Sequence, residues 1–284
     1  MKLKTKVVGL VCSALLGSAV SLGVVAAEGK KHDKTIVVAL SGPLKPYNYL
    51  DEAGKWKGLQ ADLLSYAADK AGYDLEYREM AFENEIPALI GGRVDIGSGI
   101  YITNERSEHL DFIPLVESYF GIISTKEFAQ NVKDWTAFCG KKIGMHFSAP
   151  TERAVKEMNQ KYCGGDNGAI PTPSSGGIMD RLNSVQNART EGAIDDVNMW
   201  WAATESIPHL AVALDQVGDP LFWPIAFKKG SKLREELLPH VKEFLNSPRA
   251  EEVSLRYGME RNVFIKEDPD AVVQNVLESR RRNK

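Results

Sequence analysis

Apolar residues along this chain alternate between short β-branched runs and stretches of helical spacing. Residues 35–40 form a β-branched run that ends at Ser41-Gly42-Pro43, which predicts a buried strand followed by a loop. Apolar positions 59, 63, 66, 67 and 71 then recur at helical spacing up to Gly72, a residue typical of helix C-termini. The same reasoning predicts strands over residues 73–80, 94–96, 141–145, 190–194 and 220–227. It predicts helices over residues 83–90, 151–161, 178–186, 232–245, 250–257 and 268–282.

This order of elements indicates the fold class. Strands that alternate with helices of this length are typical of an α/β fold with a mainly parallel sheet. The pattern restarts near residue 141, which predicts two α/β units followed by a helical tail. Residues 164–177 are rich in Gly, Pro and Ser, so we expect them to form a surface loop. With 284 residues, the chain is long enough to bury the core of each unit.

The first 27 residues have the features of a targeting signal. Lys2, Lys4 and Lys6 precede an apolar stretch that ends at the small residues Val25-Ala26-Ala27. This pattern predicts a signal peptide over residues 1–27 that is cleaved on export to the periplasm. A retained membrane anchor is the alternative, but the stretch is only weakly apolar and a polar segment follows it. Val11 stands before Cys12 where a lipoprotein signal has a small residue, so we do not expect lipidation.

Charge and cysteine content narrow the classes of partner. Without its first 27 residues the chain has 32 basic and 38 acidic side chains, which argues against nucleic acid as a partner. Export would place Cys139 and Cys163 in an oxidising compartment, where a disulfide between them is expected. A metal site or a nucleophile would need a partner that the nearby sequence does not supply. The five histidines lack the close spacing of a metal site, so no metal or cofactor is expected.

A candidate anion site follows the strand predicted over residues 94–96. After the small-residue turn Gly97-Ser98-Gly99 comes Thr103 or Asn104, either of which is a suitable N-cap, and Arg106 then falls in the first helical turn. The N–H groups at a helix N-terminus, together with an arginine fork, bind a carboxylate well. The alternative is a capped surface helix with a solvated arginine.

Several motifs occur in an order that resembles the amino-acid-type (family 3) periplasmic solute-binding proteins of ABC importers. In the first half these are Lys45-Pro46-Tyr47, Gly58-Leu-Gln-Ala-Asp62-Leu63, Ile86-Pro-Ala-Leu89, Gly92-Arg-Val-Asp95, Thr103-Asn-Glu-Arg106 and Asp111-Phe112. In the second half they are Cys139-Gly-Lys-Lys-Ile-Gly144 and Arg189-Thr-Glu-Gly-Ala-Ile-Asp-Asp196. The resemblance extends from residue 35 to about residue 258, and the ordered set is more specific than any single motif.

The resemblance implies a two-lobed periplasmic-binding-protein (Venus-flytrap) fold of type II. Two crossing strands, near residues 121–125 and 220–225, would form the hinge. Lobe 1 would comprise residues 28–122 and 222–284, including a C-terminal helical tail, and lobe 2 residues 123–221. The protein would act as a monomer, close on its solute and then engage an inner-membrane ABC permease.

The resemblance also implies the site residues. Arg106 would take the solute's carboxylate, aided by backbone groups near Ser98, Gly99, Tyr101 and Thr103. Asp196 would receive the α-ammonium group, although a helix cap or a solvated loop acid is the alternative for this residue. Phe82 would pack on the solute's side chain, with a core role as the alternative.

Two features depart from the family pattern or stay ambiguous. Pro150 has no N–H to offer in the second-lobe loop that normally holds the carboxylate, so Ser148 or Thr151 must substitute, or the anion is held differently. The identity of the solute therefore stays open. The aromatic run Met199-Trp200-Trp201 either lines the cleft or belongs to the core.

The sequence therefore predicts an exported receptor that binds a small amino-acid-like solute without chemistry and delivers it to an ABC permease. Three alternatives stay open. The protein is a non-transport sensor, it binds a carboxylate that has no ammonium group, or it is an enzyme similar to periplasmic cyclohexadienyl dehydratase. The enzyme would need an acid such as Glu152 or Glu117 in the cleft.

Overall fold

The structure is a computed structural model that describes residues 32–146, 149–164, 167–174, 177–259 and 261–282. The expected signal peptide and Ser148 lie outside the described residues. The strands are β1 (Lys34–Leu40), β2 (Tyr49–Leu50), β3 (Trp56–Lys57), β4 (Tyr73–Glu79), β5 (Ile96–Ser98), β6 (Leu110–Thr125), β7 (Lys142–Met145), β8 (Ile170–Pro173), β9 (Gly192–Asp196) and β10 (Leu210–Lys228). The helices are α1 (Leu59–Ala71), α2 (Phe82–Ile90), α3 (Lys126–Ala129), α4 (Ala149–Tyr162), α5 (Ile178–Gln186), α6 (Val197–Ser206), α7 (Lys232–Leu245), α8 (Pro248–Arg256) and α9 (Pro269–Arg282).

Most predicted elements are confirmed, but four predictions are wrong in detail. The strand predicted over residues 94–96 is β5, which begins at Ile96 and includes Gly97 and Ser98, so most of the predicted turn is strand. The segment 164–177 contains strand β8, which the sequence analysis treated as loop. Pro171 and Pro173 hid this strand, and they are tolerated because β8 lies at the edge of the sheet. The helix expected at Arg106 is a single 3₁₀ turn, Arg106–Glu108, because β6 begins at Leu110. Strand β10 begins at Leu210, ten residues before the predicted start.

One eight-stranded sheet runs through the described chain, in the order β4-β1-β5-β10-β6-β9-β7-β8. At one end β1 pairs in parallel with β4 and β5, and at the other end β7 pairs in parallel with β8 and β9. The pairings of β10 and β6 in the middle are antiparallel. The sheet therefore consists of two parallel blocks joined through an antiparallel centre, as expected for two α/β units.

The central strands β6 and β10 connect the two parallel blocks. They pair from Leu110 opposite Lys228 to Thr125 opposite Leu210, with register shifts concentrated between Val212 and Leu221. The crossings predicted near residues 121–125 and 220–225 lie in these two strands. Each strand thus contributes side chains to both ends of the molecule.

Buried apolar side chains form two main clusters and a smaller one. The first core is built on β1, α1, β5, the start of β6, the end of β10, α7 and α8. The second core surrounds β7 and α4 and receives Phe120 and Ile122 from β6 and Val217 and Leu221 from β10. A third, smaller cluster lies around α5 and Trp200 of α6.

The disulfide and the C-terminal helix complete the fold. The predicted disulfide is present. It joins Cys139, three residues before β7, to Cys163, which directly follows α4. Helix α9 buries Val272, Val276 and Leu277 against the first core, so it is a packing helix as expected. In the part of the chain that the structure describes, no helix combines the length and the apolar character that a bilayer span requires.

Candidate functional site

The loop at residues 44–48 is held against the beginning of α1. The N–H groups of Leu59 and Gln60 donate to the carbonyls of Pro46 and Tyr47 at 2.9 and 3.1 Å, which satisfies donors that a helix N-terminus leaves free. Gly58 makes this approach possible. It has a φ of +126°, and a Cβ there would lie 2.2 Å from the carbonyl oxygen of Tyr47. The close contact fixes the position of the Tyr47 side chain.

Tyr47 reaches the predicted acid Asp196 at the end of β9. The Tyr47 hydroxyl donates to Oδ1 of Asp196 at 2.9 Å, and the same oxygen accepts the N–H of Asn198 at 2.9 Å. Asp196 therefore caps α6, as one alternative proposed, and also contacts the loop on the first core. The side-chain amide of Asn198 donates to the Tyr47 hydroxyl at 3.1 Å and to Ser118 at 3.2 Å. These residues are buried, so the group is a closed hydrogen-bonded cluster.

The electrostatics of Asp196 are those of a buried acid. Its exposed fraction is 0%, and burial raises its pKa to about 7 against the lowering effect of the hydrogen bond from Tyr47. Oδ2 has no hydrogen-bond partner among the described residues, although the Ser118 hydroxyl lies near enough to lower the pKa. The adjacent Asp195 pairs with the buried Arg181 at 2.5 Å. Asp196 is thus a carboxyl group with one oxygen left to accept a donor.

Aromatic rings connect Tyr47 to the segment that follows β5. The Tyr47 ring stacks on Trp223 of β10, with ring centroids 3.9 Å apart and planes 1° from parallel. Tyr101 packs edge-on against Trp223 at 6.2 Å and against Phe120 at 6.1 Å. The Tyr101 hydroxyl is buried and has no partner among the described residues. Desolvation and the nearby Asp196 raise the pKa of Tyr101, so this group stays neutral.

Arg106 lies at the other end of this aromatic path. Its Nη1 donates to the carbonyl of Tyr101 at 2.9 Å, and its backbone N–H donates to the hydroxyl of Thr103, one of the two predicted caps, at 3.1 Å. The residue directly before the 3₁₀ turn is Glu105, whose side chain makes no capping hydrogen bond. The guanidinium lies 5.6 Å from the ring centre of Phe82, the first residue of α2. Phe82 in turn packs edge-on against His146, which follows β7, at 6.0 Å. The side chain of Arg106 is half-buried, and desolvation lowers its pKa.

The predicted backbone groups near Ser98 and Gly99 are engaged within the protein. The hydroxyl of Ser98 donates to Oε1 of Gln60 at 2.9 Å and accepts from Asn48 at 2.9 Å, and the indole N–H of Trp223 also donates to Gln60. The N–H of Gly99 donates to the carbonyl of Pro224 at 3.1 Å. A Cβ on Gly99 would lie 2.5 Å from the Trp223 ring, so this residue lets the indole reach Gln60.

The remaining sequence-predicted residues are placed as follows. Thr151 is buried in the first turn of α4, next to Pro150. Met199 and Trp200 are buried, which supports the core alternative for them, whereas Trp201 is 47% exposed. Glu117 and Glu152, the acids considered for an enzyme, are both exposed.

Sequence reasoning missed four participants of this site. Tyr47 and Gln60 each stood in a quoted motif, but neither was given a contact. Trp223 gave no signal, because an aromatic residue in an apolar strand is most often a core residue. Asn198 gave only a weak signal, through its position two residues after Asp196. Their roles depend mostly on contacts between residues far apart in the chain, such as Gln60 and Trp223, which are 163 positions apart.

Two α/β cores joined by two paired strands, with buried polar groups where the cores meet, define a two-lobed solute-binding fold of the Venus-flytrap type. Solved structures with this fold are similar over most of the chain. An ancestral arginine-binding protein bound to arginine is 23% identical with a TM-score of 0.67, covering 79% of this chain and 98% of the other. The arginine-, lysine-, histidine-binding protein ArtJ from Geobacillus stearothermophilus is also 23% identical with a TM-score of 0.67, over 80% of this chain and 96% of the other.

Sequence comparisons agree with the fold. The arginine-binding extracellular protein ArtP of Bacillus subtilis is 25% identical over 230 residues, which is 79% of this chain and 86% of the relative. The ABC transporter arginine-binding protein 1 of Escherichia coli is 27% identical over 219 residues, or 75% and 82% of the two chains. The model of the bacterial extracellular solute-binding proteins, family 3, matches residues 36–260. The chain belongs to this family, and its role is that of an extracytoplasmic solute receptor.

Proposed function

We propose that this protein binds a small amino acid between its two lobes and delivers it to the permease of an ABC importer. The observation that carries this proposal is the path that joins Arg106 to Asp196. It runs through contacts of Tyr101, Trp223 and Tyr47. These contacts hold the cation of Arg106, beside the first core, and the carboxyl of Asp196, beside the second core, at two ends of one site.

An amino acid is a zwitterion, and this arrangement is complementary to it. Arg106 is the group that would take the carboxylate through charge-assisted hydrogen bonds, with Thr103, Tyr101 and backbone groups near Ser98 and Gly99 around it. Asp196 is the group that would accept the ammonium, because Oδ2 is left without a partner among the described residues. Phe82, beside Arg106, would pack on the solute's side chain. Ser148 and Thr151 would complete the site from the second lobe.

The proposed lobes are residues 28–122 with 222–284, and residues 123–221. Strands β6 and β10 would act as the hinge, and closure on the solute would present a joint surface of both lobes to the permease. The protein would act as a monomer in the periplasm after cleavage at residue 27. The relatives are named as extracellular binding proteins, which supports the location and the absence of a catalytic step.

A thermal-shift panel on protein stripped of retained solute by unfolding and refolding tests the proposal. The panel holds the twenty amino acids, polyamines, betaines, dicarboxylates and prephenate. A solute at about a hundred times its dissociation constant should stabilise the protein by about 2.7 kcal/mol, a shift of several degrees.

Stabilisation by one or a few amino acids is the expected result. Stabilisation by dicarboxylates alone would remove Asp196 from its proposed role. Turnover of prephenate would show that the protein is an enzyme. The proposal would be contradicted if none of the amino acids stabilised the protein.

A further inference from the structure

A second buried carboxyl group lies beside the proposed solute site. Glu85 is on α2, one helical turn after Phe82, and its exposed fraction is 0%. Both of its side-chain oxygens are buried and have no hydrogen-bond partner of good geometry among the described residues. Glutamate is rarely buried in this way unless it is paired, so the position needs an explanation.

The surroundings of Glu85 place it on the solute-facing side of the first lobe. Helix α2 packs on β1, β5 and β10. Among the described residues, two polar groups act on Glu85: the Ser41 hydroxyl, directly after β1, and the guanidinium of Arg106, in the segment after β5. Strands β4, β1 and β5 are parallel neighbours, so their carboxyl ends share one edge of the sheet. In open α/β sheets, ligands bind at that edge.

Burial is the main cause of the unusual acidity of this group. It raises the pKa of Glu85 to about 8, against the lowering effects of Ser41 and Arg106. The carboxyl is therefore mostly protonated near pH 7 and becomes ionised when a positive charge is added beside it.

We propose that Glu85 reads the side chain of the solute, and that it selects amino acids whose side chain carries a positive charge. This inference rests on the proposed function and narrows its substrate class. A basic side chain provides several N–H donors for the two oxygens of Glu85 that lack partners. The solute's own carboxylate would engage Arg106, whose guanidinium lies 5.6 Å from the ring of Phe82, one helical turn before Glu85 on α2. An apolar residue at position 85 would avoid the cost of burying an unsatisfied carboxyl but would not discriminate by charge.

Matched pairs of solutes isolate the side-chain charge. Arginine is compared with citrulline, lysine with norleucine, and ornithine with norvaline, by calorimetric titration of the refolded protein. We expect at least one basic member to bind about tenfold or more tightly than its neutral partner. Glu85→Gln should remove that preference by weakening the basic member alone, and Glu85→Leu, which keeps the position apolar, should do the same. Glu83→Gln is the control, because Glu83 is exposed on the same helix.

Two failures are distinguishable. If no amino acid binds the wild-type protein, the proposed function fails and this inference fails with it. If neutral amino acids bind but basic ones do not, or if Glu85→Gln keeps the preference for the basic member, the receptor stands and the role of Glu85 is wrong.

Proton release on binding provides a second measurement. It would not depend on Glu85 if this residue had only a structural role. Titration at pH 7 in two buffers of different ionisation enthalpy should show close to one more proton released by the basic solute than by its neutral partner, because Asp196 contributes equally to both. The preference for the basic solute over its neutral partner should rise by up to about tenfold for each pH unit between pH 6 and 8. This difference in proton release should be absent in Glu85→Gln. A basic solute that binds the wild-type protein and releases no more protons than its neutral partner would overturn the inference.

Discussion

The Tyr47 hydroxyl donates a 2.9 Å hydrogen bond to the carboxyl of Asp196, which lies 149 positions later in the chain. Tyr47 belongs to a loop on the first core, and Asp196 ends a strand that leads into α6. This donor therefore helps to hold the group that we propose for the solute's ammonium, and it lowers the pKa that burial raises.

Tyr47→Phe should lower both the free energy of unfolding and the affinity for the solute. The variant keeps the ring that stacks on Trp223 but removes a donor from a buried acid, so we expect the free energy of unfolding to fall by about 1–3 kcal/mol. The pKa of Asp196 should rise above about 7, because a hydrogen bond that favours the ionised form is lost. Urea denaturation and calorimetric titration measure both effects. Tyr49→Phe is the matched control, since the Tyr49 hydroxyl makes no hydrogen bond to the described residues. Equal stability of the two variants would contradict the assigned role.

Arg106→Ala should abolish solute binding while the fold persists. The guanidinium is half-buried and donates to a backbone carbonyl, and the buried Glu85 near it is mostly protonated near pH 7, so its removal leaves no ionised buried group unpaired. We expect the affinity to fall by about a hundredfold or more, as is typical when one partner of a buried charged pair is removed. Arg106→Lys should recover only part of the loss, because lysine lacks the planar fork. Wild-type affinity in Arg106→Ala, measured by titration with an unchanged urea midpoint, would refute the carboxylate assignment.

Gln60→Leu should destabilise the protein more than its size suggests. Oε1 of Gln60 accepts from Asn48, Ser98 and Trp223, so the leucine would leave three buried donors without an acceptor. We expect the free energy of unfolding to fall by more than about 2 kcal/mol. The comparison is with Gln130→Leu, which replaces an exposed glutamine after α3. A loss no larger than in that control would mean that the network adds little stability.

The stability of the solute-free protein should fall as the pH rises from about 4 to about 8. Asp196 and Glu85 have pKa values of about 7 and about 8 when folded, above the ordinary values of 3.8 and 4.5. In this window the folded state holds protons that the unfolded state has released, so raising the pH favours unfolding. Each unit of pKa difference corresponds to about 1.4 kcal/mol.

Asp196→Asn and Glu85→Gln provide the measurement for this prediction. Each replaces a titrating group by a neutral amide, so each should flatten the pH dependence of the free energy of unfolding relative to the wild-type protein. Other carboxyl groups contribute a background that the comparison removes. A wild-type slope retained in both variants would show that these two acids titrate normally.

Many of the elements could be predicted from the sequence because apolar spacing reports burial locally, but helix α6 and the first part of β6 were not predicted. The spacing between residues 59 and 71 gave α1 to the residue, whereas β8 was missed because its prolines are compatible only with an edge position. Thr103, one of the two predicted caps, does accept a hydrogen bond from Arg106. The predicted helix is only a single turn, because strand β6 begins two residues after it.

The same reasoning predicted only some of the site residues. Arg106 and Asp196 stand in motifs, and a motif marks positions without giving their neighbours. Tyr47, Trp223 and Glu85 are ordinary residues in the sequence, and only the tertiary fold removes them from water and brings them to their partners. The predicted N–H and hydroxyl groups near Ser98 and Gly99 lie at the right edge of the sheet, but internal hydrogen bonds already engage several of them.

The folded unit of this protein extends beyond the region that matches the family, because helix α9 packs on the first core. The family match ends at residue 260, yet Phe264, Ile265 and the buried face of α9 lie in the first core. Arg234 of α7 is paired with Asp270 at the start of that helix. A gene trimmed to the shared family region would therefore produce a protein with an open apolar flank, prone to self-association. Truncation at residue 260 would thus remove part of the first core and not a peripheral tail.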